Sequence, residues 1–197
     1  MKVVMFDAGI SNMHSIAKAL RVADDEVEIR TDLALLSAAD AVVLPGVGAF
    51  GPAAQALAPH RDLVRAAISD GLPALGVCLG MQLLFDRSAE SPGLGLGVLA
   101  GRVDALPTRR RPHMGWNRTT VVTGGPALPL GWAYFAHSYV CLPADATSTW
   151  ATTTHDDVSF VSAVRVGSLW GVQFHPEKSS RPGIEFLRRF LRDARCA

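Results

Sequence analysis

Short apolar runs recur through the first half of the chain, and stretches with apolar residues at every third or fourth position lie between them. The runs at residues 3–6, 27–29, 41–44 and 74–77 predict buried strands. Met13, Ile16, Ala17 and Leu20 share one face of a helix predicted over 12–22, with Asn12 as its N-cap. Leu63, Val64, Ala67 and Ile68 mark a second helix that stops at Gly71, and an apolar helical segment over 79–85 follows Cys78. Strands alternating with helices across short turns call for a parallel sheet covered on both faces. In such sheets ligands bind beyond the carboxyl ends of the strands. The loops there are 7–12, 45–51 and the corner at Cys78.

The second half has a different pattern. Residues 93–101 are glycine-rich and turn-like. Runs at 98–103, 116–122, 132–135, 150–153 and 160–166 read as strands with no long helix between them, an antiparallel section appended to the parallel sheet. Trp132, Trp150 and Trp170 fit half-buried strand positions. A last strand over 169–174 leads into His175-Pro176-Glu177, and a helix over 183–194 sets Ile184, Leu187, Phe190 and Leu191 on its core face. The fold class is therefore α/β, with a mostly parallel central sheet, helices on both faces and antiparallel strands in the second half. One domain over 1–197 is expected.

Composition narrows the function classes. A chain of 197 residues with 49% hydrophobic content can build one full core. Its net charge of +1 gives no footprint for nucleic acid or a membrane surface. No apolar run approaches the ~20 residues of a membrane helix, and the run that begins at Val3 stops at Asp7, too short for a signal peptide. Cys78, Cys141 and Cys196 show no pairing pattern, which fits a reducing cytoplasm. No Cys/His cluster has ligand spacing, so neither a metal nor a cofactor is expected.

The candidate chemistry centres on Cys78. It stands between Gly76 and Gly80, where a predicted strand turns into a helix. A thiol at a helix N-terminus meets free N–H groups and the positive dipole end, which favours thiolate. So tight a turn needs flanks bare of Cβ atoms. A lone cysteine is more often a buried structural residue, and becomes a nucleophile only with a base nearby. His175 and Glu177 offer one. In extended backbone, residues i and i+2 point to the same side, and Pro176 keeps this segment out of a helix. If that strand lies beside the one ending at Cys78, the three form a Cys-His-Glu set. The histidine then moves the proton and the carboxylate orients the ring. Such a site performs acyl transfer and needs N–H donors for an oxyanion. The Leu79 amide is one candidate donor, and the Pro45-Gly46-Val47-Gly48 turn offers another.

Leu44-Pro45-Gly46-Val47-Gly48-Ala49-Phe50, Gly76-Val77-Cys78-Leu79-Gly80-Met81-Gln82-Leu83-Leu84 and Gln173-Phe174-His175-Pro176-Glu177-Lys178-Ser179 resemble class I glutamine amidotransferases. Pro112-His113-Met114-Gly115-Trp116-Asn117 and Phe135-Ala136-His137-Ser138-Tyr139 narrow the resemblance to the glutaminase subunits of imidazole glycerol phosphate synthase. The resemblance implies a flavodoxin-like fold, with Cys78 as nucleophile on the glutamine side-chain amide, His175 as acid and base, and Glu177 orienting it. It implies an oxyanion hole at the Val47 and Leu79 amides. Gly46, Gly48, Gln82, Ser138 and Tyr139 would surround the glutamine. Ammonia would pass to a (β/α)8-barrel cyclase subunit, the heterodimer partner, which makes imidazole glycerol phosphate and an aminoimidazole carboxamide ribotide in histidine biosynthesis. Asn12, His113, Met114, Trp116 and Asn117 would lie on the partner face. In this family the glutaminase is nearly idle until its partner is bound, and reorientation of the Val47 peptide is a physical account of that. The family's Gly-x-Gly-Asn loop reads Gly9-Ile10-Ser11-Asn12 here, so Ser11 stands where a glycine is usual. His137 reads as structural, and His155 as part of a polar turn. Two other readings share these motifs: a paralogue supplying ammonia for surface-sugar amidotransfer, and an inactive scaffold for a barrel partner. The intact Cys78, His175 and Glu177 argue against the scaffold.

Overall fold

In chain order the elements are β1 (Lys2–Phe6), α1 (His14–Leu20), β2 (Glu26–Arg30), β3 (Ala41–Leu44), α2 (Phe50–Leu57), α3 (Arg61–Ser69), β4 (Ala74–Val77), α4 (Leu79–Leu83), β5 (Arg87–Ser88) and β6 (Gly101–Ala105). They continue with β7 (His113–Arg118), β8 (Thr120–Val121), β9 (Trp132–His137), β10 (Tyr139–Pro143), β11 (Thr149–His155), β12 (Val158–Val166), β13 (Leu169–Val172) and α5 (Ser180–Ala194). The computed structural model describes residues 1–9, 13–21, 26–34, 36–122 and 127–197. Ser11 and Asn12, and with them the expected N-cap and one expected partner contact, lie outside the described residues.

The main sheet runs in the order β2-β1-β3-β4-β13-β12-β10-β6-β5. Its first five strands are mutually parallel, the flavodoxin-like arrangement. The fifth parallel strand, β13, comes from the far end of the chain. From there β12, β10 and β6 follow antiparallel to one another. β11 pairs with β12 and with the short β8. β7 and β9 form a separate antiparallel ribbon.

Side chains along each central strand alternate between two cores. Val3 and Met5 of β1 join Ile16, Leu20, Phe186 and Phe190 on the α1/α5 side. Val4 and Phe6 join Phe50, Leu57, Val64 and Phe85 on the α2/α3/α4 side. All of β3 and β4 is buried, as a parallel sheet covered on both faces requires.

Several sequence expectations are corrected. Helix α2 begins inside the loop expected over 45–51, and Gly51-Pro52 gives it no helical signal. Pro52 falls in the first turn of α2, where its missing N–H costs nothing. Distant side chains cap that end: Phe50 N donates to Glu90 Oε2 (2.6 Å) and Gly51 N to Ser91 Oγ (2.8 Å). The strand expected over 98–103 lies at Gly101–Ala105, and β10 was not foreseen at all. The run 116–122 splits at Thr119, β7 going to the ribbon and β8 to the sheet edge. Trp150 and Trp170 are buried rather than half-buried, packed edge to face at 4.9 Å with the Arg165 guanidinium over both rings. Trp132 is 58% exposed.

Candidate active site

Strand β4 ends at Cys78, whose backbone (φ 54°, ψ −106°) ordinarily belongs to glycine. The flanking glycines make room for that reversal. A Cβ at Gly76 would lie 2.7 Å from the Gly80 carbonyl oxygen, and one at Gly80 would lie 1.6 Å from that of Leu44. So α4 crosses back directly over β4 and its neighbour β3. The helix is only five residues long, shorter than the sequence suggested, and its dipole is correspondingly small.

The groups nearest the thiol follow β13. It pairs with β4 in parallel with Val172 opposite Val77, and Cys78 N donates to Val172 O (2.7 Å). The adjacency that a Cys-His pair required is thus met. His175 N donates to Tyr134 O (2.8 Å). Ser179 Oγ donates to His175 O (2.7 Å) and accepts from Tyr134 N (2.9 Å), clamping the segment to β9. His175 Nδ1 lies 2.9 Å from Glu177 Oε1. Glu177 reaches it from a 3-10 turn over Pro176–Lys178 rather than from extended backbone. His175 Nε2 makes no hydrogen bond of ordinary geometry. Burial resists charging this ring, but the Cys78 sulfur and then the Glu177 carboxylate outweigh it, and the pKa is pushed up to about 10.

Cys78 opens onto a cleft of about 240 Å³, lined by Val47, Gly48, Leu79, Gln82, Ser138 and Tyr139 among others. This is amino-acid-sized, below the ~300–1,000 Å³ of sites for larger ligands. Gly46 does not line it. Gly46 lies behind, where a Cβ would meet Leu79 Cβ at 2.6 Å, so its role is close packing rather than ligand contact. Two residues that the sequence reading did not single out take part. Glu90 is the one carboxylate lining the cleft among the described residues. The buried Gln173 donates from Nε2 to Cys78 Sγ (3.5 Å) and accepts at Oε1 from Gln82 Nε2 (3.3 Å). Gln173 sits two residues before His175, inside the run Gln173-Phe174-His175-Pro176-Glu177, and that position is its signal in the sequence. Glu90 had none, because its loop meets the cleft only through the fold.

The expected partner-face residues divide between the two sides of β7. Met114 (65% exposed) and Trp116 (50%) point outward, whereas His113 is 3% exposed and Asn117 shares its inward side. His113 is therefore an interior residue, not a surface contact. His155 is drawn out of its expected polar turn to stack on His113 at 4.2 Å. Among the described residues no group of three or more His, Cys, Asp or Glu could hold a metal ion.

Residues 4–194 match the family model described as glutamine amidotransferase class-I. The chain is 42% identical over 198 residues to the imidazole glycerol phosphate synthase subunit HisH of Pyrococcus furiosus, covering 97% of this chain and 98% of that one. It is also 42% identical to the protein of that name from Synechococcus sp. strain JA-3-3Ab, covering 96% and 91%. A crystal structure of a glutamine amidotransferase shares the fold with a TM-score of 0.75 at 21% identity, covering 98% of both chains. The structure of PurLQS from Thermotoga maritima shares it with a TM-score of 0.69 at 16% identity, covering 99% and 97%.

Proposed function

Since the chain belongs to the class-I glutamine amidotransferases, and among them to the HisH subunits of imidazole glycerol phosphate synthase, we propose that it hydrolyses the side-chain amide of glutamine at Cys78. The Cys78 sulfur attacks the amide carbon and forms a C–S bond. The negative charge that develops on oxygen is met by the Leu79 and Val47 N–H groups, one such donor being worth roughly 3–4 kcal/mol of barrier. The proton held by His175 goes to the departing nitrogen, which leaves as ammonia. Water then attacks the thioester, giving up a proton to His175, and the C–S bond breaks to release glutamate and the Cys78 sulfur beside the reprotonated ring. Glu177 keeps the ring oriented and stabilises its charged form.

Gly48, Gln82, Ser138 and Tyr139 hold the glutamine, and Glu90 faces its α-ammonium group, since an acidic side chain on the cleft wall suits a cationic amine. The ammonia passes to a (β/α)8-barrel cyclase subunit that docks on the outward side of β7 and β9. The setting is cytoplasmic histidine biosynthesis.

The observation that carries this reading is the meeting of Cys78 with the His175–Glu177 pair across two parallel strands, beside an amino-acid-sized cleft. Glutamate release, measured with the co-purified cyclase present, tests it. Cys78→Ala abolishes release while leaving assembly intact, and Glu90→Gln raises the KM for glutamine about tenfold. Release that survived Cys78→Ala would end the assignment.

A further inference from the structure

Four of the six histidines gather around the inward face of the β7–β9 ribbon. His175 belongs to the catalytic set, but His113 and His137 have no part in the chemistry described above. His137 Nδ1 lies 2.9 Å from Tyr139 O, and His137 Nε2 lies 3.0 Å from His113 Nδ1. His113 Nε2 lies 3.1 Å from Asn117 Nδ2, which also donates to Thr154 O (2.9 Å).

With both rings neutral, the partners fix the donor and acceptor roles. A carbonyl oxygen only accepts, so His137 Nδ1 carries a hydrogen. Its Nε2 is then a lone pair, and His113 Nδ1 must carry the hydrogen between the rings. His113 Nε2 is in turn a lone pair and takes an Asn117 amide hydrogen. Asn117 Oδ1 accepts from Arg118 N (2.7 Å), which fixes that amide the right way round. Burial, chiefly, holds both rings neutral, with pKa about 3 for His137 and about 4 for His113.

The chain does not end at Tyr139. The same carbonyl accepts from Gln82 Nε2 (3.4 Å), and Gln82 donates on to Gln173, which donates to the Cys78 sulfur. Every donor along the path from Asn117 to Cys78 meets an acceptor. The outward neighbours on β7, Met114 and Trp116, stand on the opposite side of the same strand.

We propose that Asn117, His113 and His137 are positioning residues for the glutaminase reaction: a neutral hydrogen-bond relay of single polarity that sets the Tyr139 carbonyl and, through it, Gln82 at the wall of the glutamine cleft. This rests on the glutaminase reading above. A shift of β7 when a partner docks on Met114 and Trp116 moves the first members of the relay, and the cleft wall moves with them.

Two substitutions at His113 separate the relay from simple packing. His113→Phe keeps an aromatic ring against Phe135 and His155 but removes the hydrogen that His137 needs. His113→Asn gives up the ring and restores an N–H near the Nδ1 position. In the complex, His113→Phe is expected to raise the glutamine KM about tenfold with kcat within about twofold, because a buried acceptor loses its donor. His113→Asn is expected to recover most of that loss. If Phe were tolerated and Asn were the damaging change, the residue would only be packing and the relay would be wrong.

Nitrogen NMR of the histidine rings in the unmodified chain gives a second readout that needs neither variant nor activity. The relay requires neutral His113 and His137, both with hydrogen on Nδ1. A charged ring, or hydrogen on His137 Nε2, overturns it. Because this measurement involves no turnover, it stands apart from the Cys78→Ala test.

Discussion

His175 sits between two groups that pull its proton balance the same way, the Cys78 sulfur on one side and the Glu177 carboxylate on the other, and both outweigh burial. The consequence has a definite sign. A histidine raised above its unfolded value of about 6.5 adds stability that is fully present below that pH and is lost as pH rises through about 10. The catalytic proton is held over the same range, so kcat/KM is expected to be level across neutral pH and to fall towards pH 10. Cys78→Ala removes the larger of the two raising influences, and an NMR titration of the ring should show the His175 pKa well below 10. A value that stayed near 10 would mean that the carboxylate alone holds the proton. At this scale the sequence was informative wherever chemistry is local. Gly-x-Cys-x-Gly and His-Pro-Glu announce a nucleophile and an oriented base within a few residues each. Glu90 and the buried state of His113 were not legible, because both are set by contacts with segments far away in the chain.

Among the elements, the corner between β4 and α4 tolerates the least change. Gly80→Ala would force a methyl group into the Leu44 carbonyl. The expected loss is about 3 kcal/mol or more of unfolding free energy, read from the urea midpoint. Gly167→Ala is the useful contrast. That residue has positive φ (55°) but open space around it, so the loss should be only about 1 kcal/mol. Equal losses at the two sites would show that close approach is not what Gly80 provides. Strands β3 and β4 were readable because a doubly covered strand is apolar throughout. Helix α2 was hidden because its cap is supplied by Glu90 and Ser91 in place of a local Ser, Thr or Asp. Ribbon strand β7 starts at His113, three residues before the run 116–122, and its alternating burial divides the residues that the family resemblance put on one partner face.

For the molecule as a whole, the outward side of the ribbon carries Met114, Trp116 and Trp132, each at least half exposed, the kind of apolar surface that a protein partner covers. Trp116→Ala should weaken binding of the proposed cyclase partner by about 2 kcal/mol, measured by titration calorimetry, while the melting temperature of the free chain hardly moves. The isolated chain should hydrolyse glutamine far more slowly than the complex; equal rates would rule out activation through the Val47 peptide. The strand order itself was only conditionally legible, since nothing near Cys78 announces that its neighbour in the sheet is β13. That pairing also bears on biosynthesis at the ribosome. Cys78 and Gln173 meet in space but are 95 residues apart in the chain, and parallel partners so distant close late in folding. A nascent or truncated polypeptide would carry the reactive sulfur without its proton donor. The His175–Glu177 pair therefore comes to Cys78 only once β13 has been made and has paired with β4.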